Sequence, residues 1–316
     1  LRLRKTAFFI IANSPQDTIT IFTELTFFCN RFEVTNVKTA GIITEYNPLH
    51  YGHAFLMQAV RRQYGGDTAI ICAMSGDFVQ RGDFALVRRQ ARAEAAVRSG
   101  ADLVLELPLP WAVSSAEGFA RGGIDVLTGT GMLDVLAFGS ECGDSAALLR
   151  AAKALESPAL PPLLKAALAQ GDNFAAARQR AVSALLTAED AALLSSPNNT
   201  LGIEYCRALL QSGSEPEIFT VSRTGAAHDA AAGDAGGYSA SAIRQLLGDG
   251  RRADALSRMV PAMQAAYAAE EAAGRAPVFA SACERAILSR LRGMSPADFD
   301  ALDTGREGIG QRLYNA

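Results

Sequence analysis

Two of the three histidines in this 316-residue chain, His50 and His53, stand three positions apart with Gly52 between them. Imidazoles at that spacing supply two N–H donors to one anion, and the glycine removes a side chain that would block close approach. A helix start is the natural seat for phosphate, because unpaired amides and the positive end of the helix dipole already point outward there. A second segment of this kind is Ser239-Ala240-Ser241-Ala242-Ile243-Arg244. Its serines either cap a helix or offer hydroxyls to phosphate oxygens, with Arg244 one turn along to neutralise them. Taken singly, each segment has a plain reading: polar residues at a helix start, and a capped helix with a surface arginine. Taken together they describe two helix N-termini converging on one polyphosphate.

The elements that must position these residues show in the hydropathy pattern. Short apolar runs at 40–44, 68–74, 102–107 and 135–138 read as strands, and helical patterns at 52–63, 89–99 and 114–127 separate them. That alternation predicts βαβ units and an α/β fold with a parallel sheet covered on both faces. Ligands of such sheets sit at the carboxyl ends of the strands. Here that edge collects 46–53, 75–81, 108–111 and 139–141. Residues 144–195 are Ala/Leu-rich and read as an inserted helical layer. A helix at 201–210 and a strand at 217–221 follow, and beyond 250 the pattern is helical throughout. The expected organisation is an extension over 1–36 that connects to nothing later, a main domain over 37–250 and a helical region over 251–316.

The bulk properties exclude some classes. With 49% hydrophobic and 20% charged residues, the chain is globular rather than disordered, and a net charge of −3 gives no overall basic signal. A nucleic-acid partner would have to meet a local patch. The five cysteines show no metal-binding spacing, which points to thiols in a reducing cytoplasm. The opening LRLRKTAFFIIANS has a leader-like order of basic then apolar residues, but its apolar core is at the short limit.

Seven blocks in order, EYNPLHYGH, MSGDFVQRGDFALV, DLVLELP, SAEGFARGGIDVL, FGSE, SPNNTLGIEY and SASAIR, resemble the bacterial tRNA(Met) cytidine acetate ligase family. The resemblance runs from about Lys38 onward. Members of that family usually continue further, so a C-terminal helical portion is expected beyond Ala316. The resemblance implies a Rossmann-like sheet of the His-x-Gly-His nucleotidyltransferase and class I synthetase type. It also implies a two-step reaction: acetate and ATP give acetyl-adenylate, and the acetyl group passes to N4 of the wobble cytidine of elongator tRNA(Met). Magnesium is expected with the ATP, and no protein metal site is implied.

Carried over by position, the resemblance implies His50 and His53 as catalytic residues. The ATP cradle would be Ile43, Thr44, Glu45 and Tyr46, then Asn47, Pro48 and Leu49, then His50, Tyr51, Gly52, His53, Ala54, Phe55 and Leu56. Gly139, Asn198, Asn199, Arg223, Thr224, Ser239, Ser241 and Arg244 would complete it. Asn199 as a helix cap and Arg223 as a solvated strand-end charge stand as alternatives. Arg81, Arg88, Arg89 and Arg92 form the densest basic cluster, either a tRNA-backbone contact or a solvated helix face. Asp77 departs from the neutral residue expected in its block and brings a carboxylate near the phosphate edge. His228 lies near the triphosphate or acceptor, or only packs its loop. Two other functions use the same helix starts: an adenylyltransferase of coenzyme biosynthesis acting on a phosphorylated small molecule, and a non-catalytic nucleotide- or RNA-binding module.

Overall fold

Six parallel strands form one sheet: β1 (Phe8–Ile10), β2 (Thr39–Thr44), β3 (Ala69–Ser75), β4 (Leu103–Leu107), β5 (Val135–Ser140) and β6 (Glu217–Ser222), in the order β1-β4-β3-β2-β5-β6. The computed structural model describes residues 8–10, 37–171, 174–222, 239–301 and positions 312, 314 and 315. β2 and β3 are buried along their whole length, which is why they read as unbroken apolar runs. From β2 the chain builds outward through β3 to β4, then returns to the other side of β2 with β5. The order therefore reverses between β2 and β5, where α/β sheets open a ligand crevice beyond their carboxyl ends.

The crossovers are α1 (Tyr51–Tyr64) from β2 to β3, α2 (Arg89–Ser99) from β3 to β4, and α3 (Leu109–Ala112) with α4 (Ala116–Thr128) from β4 to β5. Ser115 caps α4, accepting from the Gly118 amide. Phe119, Ile124 and Leu127 of α4 face the sheet. Gly123 lets that face approach closely, because a Cβ there would lie 2.6 Å from Ile43 Cδ1. Between β5 and β6 run α5 (Ser145–Leu155), α6 (Leu160–Ala169), α7 (Phe174–Ser183), α8 (Ala188–Ala192) and α9 (Pro197–Ser212). Leu148, Ala151, Ala152 and Leu155 of α5 share one core with Ile203, Cys206 and Leu209 of α9 and with the sheet residues. This core, rather than helix propensity, holds the Ala-rich helices in place.

After β6 come α10 (Ala240–Gly248), α11 (Arg252–Ser257) and α12 (Pro261–Ala272). The chain divides into two compact units, Leu1–Pro277 and Val278–Ala316. The second contains α13 (Ala280–Arg292) and α14 (Pro296–Asp300), the latter started by a Ser295–Asp298 capping box. Among the described residues no helix is long and apolar enough to cross a membrane.

One expectation needs correction. Within the stretch before residue 37, the described residues Phe8, Phe9 and Ile10 do connect to the rest, pairing with Leu103, Val104 and Leu105 of β4. The apolar run that looked like the core of a leader has the composition of an edge strand as well. The short α3 was also not anticipated, because four residues beginning Leu-Pro carry too little period to read.

Candidate functional site

A cavity of about 600 Å³ opens at the carboxyl ends of β2 and β5, a size suited to a nucleotide. His50 is one of its lining residues. It is 3% exposed and serves as the N-cap of α1, with extended backbone at φ −127° and ψ 173°. Its Nδ1 accepts from the Gly52 amide at 3.1 Å, while its own amide donates to His53 Nδ1 at 3.3 Å. The two rings stack with centroids 3.8 Å apart and 28° between planes. Because each Nδ1 accepts a backbone N–H, each neutral ring carries its proton on Nε2. The pair is thus preset as two Nε2–H donors at a helix N-terminus. A side chain at Gly52 would place Cβ 3.0 Å from His50 Cε1, so glycine there keeps the first ring in position.

Tyr46 supports the second ring. It adopts a positive φ of 47°, a strained setting for a bulky residue, and its ring meets His53 edge-on at 5.0 Å. Its buried hydroxyl lies 3.3 Å from Cys72 Sγ on β3. Burial pushes the Tyr46 hydroxyl well above its usual pKa and the Cys72 thiol up to about 12, so both stay neutral. Asn47 holds the turn before α1. Its Oδ1 accepts from the Leu86 amide at 2.7 Å and its Nδ2 donates to the Phe84 carbonyl at 3.3 Å.

The second motif reaches the same place. Ser239 caps α10, accepting from the Ala242 amide at 3.1 Å, and Ser239, Ala240 and Ser241 line the cavity with His50 and His53. Arg244 donates to the Asn47 carbonyl at 2.7 Å, which ties the start of α10 to the turn before α1. Met259, which follows α11 in the chain, forms an isolated antiparallel bridge with His50. The plain capping reading of Ser239 and the convergence of two helix starts are therefore both present.

Of the expected nucleotide contacts, Ile43, Thr44, Glu45, Tyr46, Asn47, His50, Gly52, His53, Leu56, Gly139, Asn198, Ser239 and Ser241 line this cavity. Pro48, Leu49, Tyr51, Ala54, Phe55, Asn199 and Arg244 do not. Leu49 is wholly buried beneath the turn, Tyr51 turns outward, and Phe55 packs under Arg62. Asn199 instead accepts from the Cys142 amide at 3.0 Å, which holds the loop after β5 to the start of α9. Arg223, Thr224 and His228 lie outside the described residues.

Several lining residues escaped the sequence reading. Phe119, Phe138, Leu201 and Tyr205 build an apolar wall from α4, β5 and α9, and Pro197 and Val221 extend it. They read as ordinary core positions, and only the fold shows that they face a cavity. Gly202 lets this wall form, since a Cβ there would come within 2.6 Å of Phe138 Cε2. Glu141 positions the start of α9. Its carboxylate accepts from the Asn198 amide, the Asn198 side chain and the Asn199 amide at 2.7–3.1 Å, neutralising the dipole end beside the cavity.

The basic cluster separates into different roles. Arg92 is 0% exposed and donates to the carbonyls of Val87, Ser75, Glu45 and Gly76, clamping the ends of β2 and β3 together. Burial lowers its pKa to about 10. The expected contact with a tRNA backbone is thus corrected for Arg92, whose guanidinium has no route to a phosphate. Arg88 forms a two-bond pair with Glu270, and Arg89 pairs with Glu106 at 3.0 Å. Asp77 accepts from the Arg89 amide at 2.8 Å, so the unexpected carboxylate caps α2 and is not among the cavity-lining residues.

Glu45 is the carboxylate of the cavity lining. Its Oε1 accepts from the Gln80 amide at 2.7 Å. Burial raises its pKa above the usual carboxylate value, against the Gln80 bond and the charges of Arg244 and Arg92.

Known proteins share this arrangement. The family model described as HIGH Nucleotidyl Transferase matches residues 37–316. A tRNA(Met) cytidine acetate ligase of Syntrophotalea carbinolica is 45% identical over 224 residues, covering 70% of this chain and 53% of that protein. One from Alkaliphilus metalliredigens is 36% identical over 293 residues, covering 88% and 69%. The crystal structure of Thermotoga maritima TmcAL bound with alpha-thio ATP superposes with a TM-score of 0.79 at 31% identity, covering 88% of this chain and 66% of that one. The chain thus spans between 53% and 69% of the length of these relatives. On its sequence, its sheet and its paired helix starts, the chain belongs to the tRNA(Met) cytidine acetate ligase family of HIGH nucleotidyl transferases.

Proposed function

We propose that this protein activates acetate with MgATP and transfers the acetyl group to N4 of the wobble cytidine of elongator tRNA(Met). The observation that carries this reading is that His50, His53, Ser239 and Ser241 line one cavity of nucleotide size. The relatives' printed names and the alpha-thio ATP bound to the Thermotoga protein support it further.

In the first step an acetate oxygen attacks the α-phosphorus, the bond to the β-phosphate bridge breaks, and pyrophosphate leaves. Negative charge grows on the non-bridging and bridging oxygens. The preset Nε2–H groups of His50 and His53 donate to those oxygens without reorganising, which is the most effective form of charge stabilisation. The start of α10 receives the remainder of the triphosphate, and magnesium arrives as part of the substrate. The apolar wall of Phe119, Phe138, Leu201 and Tyr205 limits water around the bound nucleotide. In the second step the acetyl group moves from AMP to the cytidine amine. The protein works in the cytoplasm, where the tRNA is found, and residues 37–250 form the adenylylation domain.

The test supplies ATP and radiolabelled acetate, with and without tRNA(Met), and follows acetyl-adenylate and acetylated cytidine. Both products are expected. Transfer of AMP to a phosphorylated small molecule in place of acetate would support the coenzyme adenylyltransferase. ATP binding without turnover would leave a nucleotide-binding module.

A further inference from the structure

The acetyl-transfer step raises a demand that the histidines do not meet. The N4 lone pair of cytidine is delocalised into the ring, so N4 attacks a carbonyl effectively only as its proton is withdrawn. His50 and His53 each use Nδ1 to accept a backbone N–H, and each carries its proton on Nε2. They are donors, not acceptors. Among the cavity-lining residues, the acceptor of suitable basicity is Glu45, at the carboxyl end of β2 and directly before the strained Tyr46.

The geometry leaves one oxygen of this carboxylate for chemistry. Oε1 is held by the Gln80 amide at 2.7 Å, which orients the group, and no donor among the described residues bonds Oε2. Arg92, through the Glu45 carbonyl, fixes the backbone at the same position. We propose that Glu45 is the general base of acetyl transfer, taking the N4 proton on Oε2. This assignment rests on the function proposed above.

The step balances. The N4–C bond forms and the C–O bond to AMP breaks, with AMP leaving as its phosphate. The N4 proton passes to Glu45 and then to solvent, and nothing is oxidised or reduced. The charged and titratable groups facing Glu45 are Arg244 on α10, Arg92 on α2, Asp83 in the loop after β3 and Tyr205 on α9. Burial outweighs the two arginines and lifts the carboxyl above its usual range, which brings its basicity nearer to neutral working conditions.

The experiment separates the two steps in the 316-residue chain. Acetyl-adenylate formation is read as acetate-dependent exchange of labelled pyrophosphate into ATP, and transfer as single-turnover acetylation of tRNA(Met). Glu45→Gln keeps the size of the side chain and the acceptor for the Gln80 amide. The expected result is that transfer slows ~10²-fold more than exchange does, the range typical of a lost general base. The acidic limb of the pH profile for transfer should vanish with it. Equal slowing of both steps would overturn the assignment and make Glu45 a nucleotide contact. Transfer at the wild-type rate, with wild type active beside it, would overturn the assignment alone. A wild-type chain that makes acetyl-adenylate and never acetylates tRNA would overturn the assignment together with the function on which it rests.

Discussion

His53 does two jobs with two nitrogens, and they can be taken apart. Nδ1 accepts from the His50 amide and completes the capping box of α1, while Nε2–H is the donor assigned to the α-phosphate. His53→Ala removes both, yet loss of a cap costs only about 1 kcal/mol, so the variant should fold. Acetyl-adenylate formation should fall ~10²-fold, the scale of one missing preorganised donor. His53→Asn restores an acceptor near the cap and a donor near the site, and should lose less. Pyrophosphate exchange with acetate measures both, and a folded His53→Ala chain with wild-type exchange would remove His53 from the chemistry. The histidines were legible in the sequence because their type and spacing are rare and a turn precedes them. Arg92 was not. It shares a helix start with Arg88 and Arg89, and nothing in composition distinguishes an arginine bound by four carbonyls from one in solvent. Only the neighbouring ends of β2 and β3 create that nest.

Between elements, the clearest electrostatic tie joins the start of α2 to α12. Glu270, with its side chain 5% exposed, receives Arg88 and Arg275, and those bonds hold its carboxyl down at about 2, the Arg88 bond contributing most. A carboxylate with a lowered folded pKa stabilises the protein fully above its unfolded value and loses that contribution as pH falls through the folded one. Stability should therefore decline between pH 4.5 and about 2 as Glu270 takes up its proton. The urea midpoint followed across that range measures the decline. Glu270→Gln should flatten it and lower stability at neutral pH by about 2 kcal/mol, since both arginines lose a charged acceptor. The elements themselves were mostly legible: buried parallel strands betray themselves as apolar runs, and α2 was readable to the residue. Pairings such as this one were not, because Arg88 and Glu270 are far apart in the chain and their meeting depends on how helices pack.

At the scale of the whole molecule, every residue lining the cavity falls between Ile42 and Ser241, well inside the unit Leu1–Pro277. The second unit has a different character. Its helix α13 carries Arg285, Arg290 and Arg292 against a single Glu284, and the three arginines are exposed along with Ile287 and Leu288. Exposed arginines on one helix suit a phosphate backbone, whereas the cradle needs amides and imidazoles. A chain ending at Pro277 should then bind ATP with a Kd within about threefold of the 316-residue chain, a difference below about 0.7 kcal/mol. Its affinity for tRNA(Met) should drop, and the dependence of that affinity on salt should become shallower, because fewer phosphates are neutralised. Calorimetry with ATP and filter binding with tRNA at several salt concentrations would read the two separately. If the shortened chain is folded and loses ATP as well, the cradle depends on residues past 277, and the division of labour drawn from the two units is wrong. If it keeps tRNA with an unchanged salt slope, the backbone is met elsewhere. Arg81, Arg88 and Arg89 would then be the next substitutions to make, because the burial of Arg92 leaves them as the rest of the basic cluster.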